Sequence, residues 1–483
     1  MKTVHRRAHH QRALHRRAVP LGLALGLLAA TPGCNLVRWE SGPGPDAPNV
    51  LLVTIDTLRA DHVGAYGAED VSTPTLDALA AAGVRFETPI TTAPLTLPSH
   101  ATILTGMDPP DHGVRHNGTF KLGPEVTTLA ERFQEAGWAT GAFVGAVVLK
   151  ARYGLDQGFG VYDDEIHGGK AAPGGFVERS AGQVVDAAQA WLERTEKPFF
   201  LWVHVYDPHM DYKAPPEFAA RFPDRPYDAE IAYTDAQLGR LLAGLREDGR
   251  LERTLVVVTS DHGESLGEHG AATHSTALCD AVLKVPLIFA GPGLPAGRAV
   301  PGVVRVKDIA PTVLSWTGLP PLQEARGQDL TALLQGDPAE DPRDGIAYAE
   351  TLATMLDNGW APLHAVRTGS VYALPYHAVR TDDWLYVRSP RAELYDVVTD
   401  PHQLDNLVES DPERARPHQE RLDGLVDVAL AEEKSATTLV VDDDTRAQLH
   451  ALGYAISDGP VVQTGSDPKD GRRYLPLLHR AMG

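Results

Sequence analysis

Residues 49–56 read NVLLVTID and residues 254–264 read TLVVVTSDHGE, two apolar runs that each arrive at a carboxylate. A continuous β-branched run without polar alternation predicts a strand covered on both faces, as in a parallel sheet between layers of helices. The neighbouring segments supply those helices. TPTLDALAAAG (73–83) opens on Thr-Pro and closes on Gly, AGQVVDAAQAWLERT (181–195) is amphipathic, and AEIAYTDAQLGRLLAGLRED (229–248) is a long helix that precedes the second run. TLAERFQEAGWATGAFVGAVVL (128–149) predicts a helix ending near Gly137 and then a buried strand, and PFFLWVHVYDPH (198–209) a further strand that ends in ligand-type residues. Helices between apolar strands predict an α/β fold, a mainly parallel sheet sandwiched by helices. Ligands of such a sheet collect beyond the carboxyl ends of its strands, which places Asp56, Asp261 and His262 in one crevice.

A hydroxyl is expected to join them. PLTLPSHATILTG (94–106) sets Thr96 just ahead of a short apolar helix that Gly106 closes. The start of a helix offers unpaired backbone N–H groups and the positive end of the dipole, which suits a sulfate or phosphate ester. A threonine hydroxyl is inert at neutral pH, so as a nucleophile Thr96 needs a neighbouring base or a metal, and the strand-end residues are of metal-binding type. Taken singly, an Asp at a strand end is more often a helix cap or turn residue; the combination is what points to a divalent ion.

With these residues in place, the chain resembles the sulfatase family of the alkaline-phosphatase superfamily. Members carry Cys or Ser, then Pro two residues on and Arg four on, and a leucine-rich turn ending in TG; the matching residues here are Thr96, Pro98, His100, Thr105 and Gly106. The family converts its Cys or Ser to formylglycine, for which threonine is no substrate, so the resemblance implies attack by the bare hydroxyl. It further implies Asp56, Asp261 and His262 as ligands, with Thr96 as fourth group, of one divalent metal ion. Carboxylates with one imidazole suit Ca²⁺, Mg²⁺ or Mn²⁺, with Zn²⁺ possible. Thr57 stands where most members have a second aspartate, and a second metal, which would draw on Asp207, His209 or Asp211, is not expected.

The same resemblance assigns His209 (YDPHMDY) to protonate the leaving oxygen, and His274 (GEHGAATHS) to the place of a lysine that contacts the transferred group. His100 replaces the family arginine beside the nucleophile. His112, Arg115 and Asn117 fall where a loop covers the site, or form an ordinary turn. His204 is either a substrate contact or a packed core histidine. The family segment GYxTxxxGKWHLG, which grips sulfate, reads GWATGAFVGAVVL, with Gly145 and Val147 in place of its Lys and His. Those departures weaken the case for sulfate and leave phosphate-type transfer open.

KVPLIFAGPG (284–293), RVKDIAPTVLSWTGLP (305–320), AVRTDDWLYVR (378–388) and ELYDVVTDPHQLDNL (393–407) extend the resemblance. It covers roughly residues 49–425, with the last two segments in a smaller C-terminal α+β subdomain. Residues 48–335 are thus expected to form the catalytic domain, 336–430 the subdomain and 431–483 a tail, with TTLVVDDDTRAQLHALGYA (437–455) as a tail helix. No repeat is visible.

Among 483 residues, 44 basic against 64 acidic side chains give a net charge of −20, which opposes nucleic-acid binding. The leader MKTVHRRAHHQRALHRR followed by an apolar run from Leu21 to Ala30 has the layout of an export signal. It ends in TPGC, so residues 1–34 are read as a signal peptide whose Cys34 is lipidated, and 35–47 as a Gly/Pro-rich tether. With Cys34 acylated, Cys279 is left as a core thiol and no disulfide forms. The expected protein is an envelope lipoprotein, periplasmic or on the outer surface. It meets the membrane through its anchor and acts on an anionic ester such as a glycan or lipid headgroup. Transfer of a phosphoethanolamine or phosphoglycerol group, phosphodiester cleavage, and catalytically weak binding of an anionic glycan are the alternatives.

Overall fold

The computed structural model describes residues 42–44, 47–166, 179–271, 273–337, 341–352, 376–431 and 437–439. The chain divides after Arg38, and everything described belongs to the unit from Trp39 onward. Cys34, the leader and most of the tether and tail lie outside the described residues. Strands β1 (Asn49–Ile55), β2 (Val84–Ile90), β3 (Phe120–Lys121), β4 (Ala139–Val144), β5 (Val161–Asp163), β6 (Phe199–Val205), β7 (Thr254–Ser260), β8 (Leu287–Ala290) and β9 (Arg298–Arg305) precede β10 (Ile346–Thr351), β11 (Tyr376–Thr381), β12 (Trp384–Arg388), β13 (Glu393–Asp396) and β14 (Thr437–Thr438).

Eight of these form one sheet in the order β5-β4-β6-β1-β7-β8-β2-β9. All its pairings are parallel except the two made by β8. The sheet is buried on both faces, and its side chains alternate between two cores. On β6, Phe200 and Trp202 join one core with the helices Thr96–Thr105, Leu129–Glu135 and Ile309–Thr317. Phe199, Leu201, Val203 and Val205 join the other with Pro74–Ala82, Ala181–Leu192 and Pro226–Glu247. That two-sided burial is why the sequence reads as unbroken apolar runs. A second, antiparallel sheet, β10-β11-β12-β13, packs against the helix Pro412–Ala431. A mainly parallel helix-covered sheet with a small α+β unit is the architecture expected from the sequence.

Two local expectations change. Thr96 is the first residue inside its helix, not a residue ahead of it, with Leu95 in the extended capping position. The start of the expected tail helix is extended instead: Thr437 and Thr438 pair with Lys121 and Phe120 as β14 on β3, and the Leu439 N–H donates to the Thr119 carbonyl at 2.8 Å. Threonine pairs favour the pleated conformation, and a free strand edge at residues 119–121 gives them a partner.

Gly106 ends the Thr96 helix at φ +69°, and its N–H donates to the Thr102 carbonyl at 2.8 Å. A Cβ there would meet the Ala325 methyl at 2.9 Å while the Gly106 carbonyl accepts from the amides of Arg326 and Gly327. Gly106→Ala is therefore expected to cost about 1–3 kcal/mol, measured as a lower urea midpoint at unchanged slope.

Candidate active site

Two strand ends supply the acidic floor. Asp56 follows β1 and Asp261 follows β7, adjacent parallel strands whose last residues, Ile55 and Ser260, are in register. Both carboxylates are fully buried. Asp261 is held by its surroundings: Oδ1 accepts from the backbone amides of His262 at 2.8 Å and Thr57 at 3.2 Å. Asp261 Oδ2 and both oxygens of Asp56 have no hydrogen-bond donor among the described residues. Burial first, and repulsion from Asp261 second, push the Asp56 carboxyl well above the ordinary carboxylate range; burial also raises Asp261. His262 Nε2 stands 3.4 Å from Asp261 Oδ2 and 3.9 Å from Asp56 Oδ1. Donor atoms of Asp56, Asp261 and His262 all lie within 4.8 Å of one another.

Three donors orphaned in a buried, anionic pocket fit a divalent cation, because an unpaired buried carboxylate otherwise costs several kcal/mol. Thr57, at φ +54°, turns its hydroxyl onto the Pro208 carbonyl and its amide onto Asp261. Asp207 accepts from the Ala181 amide at 2.7 Å and Asp211 pairs with Lys213 at 3.0 Å, so both are engaged away from this cluster.

The Thr96 helix enters the same place. The Thr96 hydroxyl lies 3.5 Å from His262 Nε2, and the side chain is almost wholly buried. Helix starts normally draw a cap from the preceding residue; here the cap comes from 20 residues on, where Asn117 Oδ1 accepts from the Leu97 amide at 2.9 Å. Asn117 Nδ2 is buried with no acceptor among the described residues, a donor left at the helix start.

His100, one turn into the helix, is used at both nitrogens. Nδ1 is 2.7 Å from the Thr96 carbonyl and Nε2 is 2.9 Å from Thr54 Oγ1, which also accepts from Trp202 Nε1 at 3.0 Å. That network assigns the proton to Nδ1 and leaves Nε2 accepting from Thr54, so His100 braces the nucleophile's backbone. His209 Nδ1 faces the Met210 carbonyl at 2.8 Å and the Tyr206 hydroxyl at 2.9 Å, with the Tyr206 ring stacked on it at 4.4 Å. His274 sits between His262, 4.4 Å away between ring centres, and His209 at 5.2 Å.

His112 and Arg115 are engaged elsewhere. His112 bonds Thr102 Oγ1 at 3.0 Å, farther along the helix, and Arg115 forks onto Glu350 of β10 at 2.8 and 2.7 Å. His204 comes within 3.4 Å of Asp56 Oδ2.

Sequence reasoning passed over Glu264, Tyr206 and Thr54. Glu264 is fully buried and accepts from the His274 amide at 2.6 Å and Thr273 Oγ1 at 3.0 Å, and its Oε1 lies 3.1 Å from His274 Nδ1. A carboxylate two residues after His262 was the available signal.

Burial pushes His100 and His209 down to about 3, and His204, His262 and His274 down to about 4. A histidine with a depressed folded pKa binds fewer protons folded than unfolded, so the stability it contributes is present above about pH 6.5 and is lost as pH falls toward 4. The raised carboxyls of Asp56, Asp261 and Glu264 oppose this over the same range.

Known proteins resemble this chain in sequence and in fold. The sequence model of the family described as Sulfatase matches residues 48–319. An ulvan-active sulfatase of Formosa agariphila is 27% identical over 470 residues, covering 86% of each chain. Among solved structures, a 2-O GAG sulfatase superposes with a TM-score of 0.67 at 22% identity over 83% of this chain and 96% of that one. The phosphonate monoester hydrolase of Agrobacterium radiobacter gives 0.65 at 23% identity over 82% and 98%.

Proposed function

The chain belongs to the sulfatase family, hydrolases of sulfate and phosphate-type esters, and from that premise we propose that Thr96 is its nucleophile. The observation that carries this is the Thr96 hydroxyl, set at a helix start beside His262 and two buried carboxylates, three of whose four oxygens have no hydrogen-bond donor among the described residues. A divalent ion held by Asp56, Asp261 and His262, with the Thr96 oxygen as fourth group, would stabilise the alkoxide and the charge developing on the ester.

The chain's own residues divide the remaining work. The Thr96 amide at the helix start and Asn117 Nδ2 donate to the non-bridging oxygens of the ester. Thr96 Oγ gives up its proton to solvent and bonds to sulfur or phosphorus as the ester oxygen leaves, and His209, protonated as the anion enters, gives that oxygen its proton; Thr96 regains a proton from the water that releases the group. Glu264 accepts from His274 Nδ1–H and so orients the ring beside the transferred group. Water then releases the group from Thr96.

Release to an acceptor alcohol instead of water is the second reading, a phosphoethanolamine or phosphoglycerol-type transferase or a phosphodiesterase. Thr96 itself and the Gly145 and Val147 positions favour it. Assays with an aryl sulfate, a phosphate diester and a phosphonate monoester, each with Mn²⁺, Ca²⁺ or chelator, separate the ester classes. Absence of turnover on all three with metal still bound marks an anionic-glycan binder.

The leader and its TPGC ending support export and a lipid anchor on Cys34. The substrate then lies in the cell envelope, either as the glycan chemistry on which the ulvan-active relative acts or as a lipid headgroup. Cys34→Ala is expected to move the protein from the membrane fraction to the soluble one.

A further inference from the structure

His204 is a histidine the proposed chemistry leaves without a task, and its surroundings differ from those of the aromatic residues beside it. It is fully buried near the end of β6, in register with Thr54 of β1 and Val144 of β4. By strand alternation it shares a face with Phe200, which only packs, and Trp202, whose Nε1–H donates to Thr54 Oγ1. The His204 ring instead meets two polar partners.

On one side the Gly145 N–H donates to His204 Nδ1 at 3.3 Å. A side chain at 145 would meet the Arg179 carbonyl and the Tyr206 Cβ at 3.1 Å, so glycine is what brings this backbone close. A nitrogen that accepts an N–H carries no proton, so in the neutral ring the proton sits on Nε2. On the other side Nε2 faces Asp56 Oδ2 at 3.4 Å. Neither His204 Nε2 nor either Asp56 oxygen has a hydrogen-bond partner among the described residues. Each is the complement the other lacks.

The contrast with Asp261 is instructive. Backbone amides already aim its carboxylate at 2.8 and 3.2 Å, whereas the ring nearest Asp56 Oδ2 is His204 at 3.4 Å, with His262 facing Oδ1 at 3.9 Å. His100 packs edge-on against His204 at 4.8 Å and fixes the plane of its ring.

We propose that His204 is a positioning residue for the metal centre: its Nε2–H donates to Asp56 Oδ2 and orients the carboxylate so that Oδ1 is presented to the divalent ion. This rests on Asp56 being a ligand, as proposed above. The assigned tautomer has no lone pair on Nε2, so His204 does not coordinate the ion itself. Outer donors of this kind typically change metal affinity 10- to 100-fold.

The test uses the full chain stripped of metal and titrated with Mn²⁺ by calorimetry. His204→Phe keeps the ring volume against His100 and removes the donor; His204→Gln places an amide N–H near the position of Nε2. The expected result is about a 10- to 100-fold weaker Kd for Phe, recovered to within a few-fold by Gln. Equal Kd for wild type and Phe overturns the proposal. Should Phe fail to fold, Gln against His204→Glu decides it: the acceptor Glu must bind Mn²⁺ at least tenfold more weakly than Gln, and parity overturns the role. Loading with Co²⁺ gives an independent reading. A visible band unchanged in Gln agrees with a donor outside the coordination sphere, and loss of the band makes His204 a ligand and overturns the assignment. Asp56→Asn separates the two layers of argument. If it binds Mn²⁺ as wild type does, the metal reading of Asp56 fails; if it does not while Phe does, only the role of His204 fails.

Discussion

Thr96→Ala is expected to lower turnover by at least about 10⁴-fold, the scale seen when a nucleophile is removed from a site that otherwise keeps its binding groups. The fold should not suffer. Position 96 is the first helical residue, alanine is a good helix former, and the interactions that hold this turn use the backbone: the Thr96 carbonyl facing His100, and the Leu97 amide donating to Asn117. Mn²⁺ affinity should fall only modestly, because Asp56, Asp261 and His262 remain. Thr96→Ser returns a hydroxyl to nearly the same place and should recover activity to within about tenfold. Single-turnover assays beside calorimetric metal titration check both halves, and a fully active alanine variant would remove Thr96 from the mechanism.

Asp56→Asn should act in opposite directions on two observables. With metal present, losing one of two carboxylates should weaken Mn²⁺ binding at least about 100-fold and abolish turnover. Without metal the same substitution should stabilise the protein by about 1–3 kcal/mol. It removes a buried anion that is repelled by Asp261 and that, without metal, faces the single His204 N–H at 3.4 Å. The sign depends on pH. Below the raised pKa the carboxyl is already protonated and the substitution gains little; as pH rises through that value the wild type loses stability and the gain grows. Urea denaturation in chelator at pH 5 and 8, repeated with Mn²⁺, resolves the crossing. Asp56→Asn less stable than wild type in chelator at pH 8 would mean that the contact with His204 outweighs the burial and repulsion of the charge.

Much of this was visible in the chain. The unbroken runs ending at Asp56 and Asp261 announced a sheet covered on both sides, and the Thr-Pro, Gly and amphipathic signals placed its helices, because burial period and turn chemistry are local properties. The extended pair Thr437–Thr438 was not visible. Its conformation is decided by the open edge at Phe120 and Lys121, more than 300 residues earlier in the chain.

The sequence by itself determined which groups could do chemistry here: two strand-end carboxylates, one hydroxyl at a helix start and a set of histidines, since residue type and backbone period are written residue by residue. Only the tertiary structure decided what each histidine does. His100 is spent bracing the Thr96 backbone, His274 leans on Glu264, and His204 is turned toward Asp56 by a glycine amide from another strand end. An imidazole donates or accepts according to the partner at its other nitrogen, and that partner is brought to it by the fold.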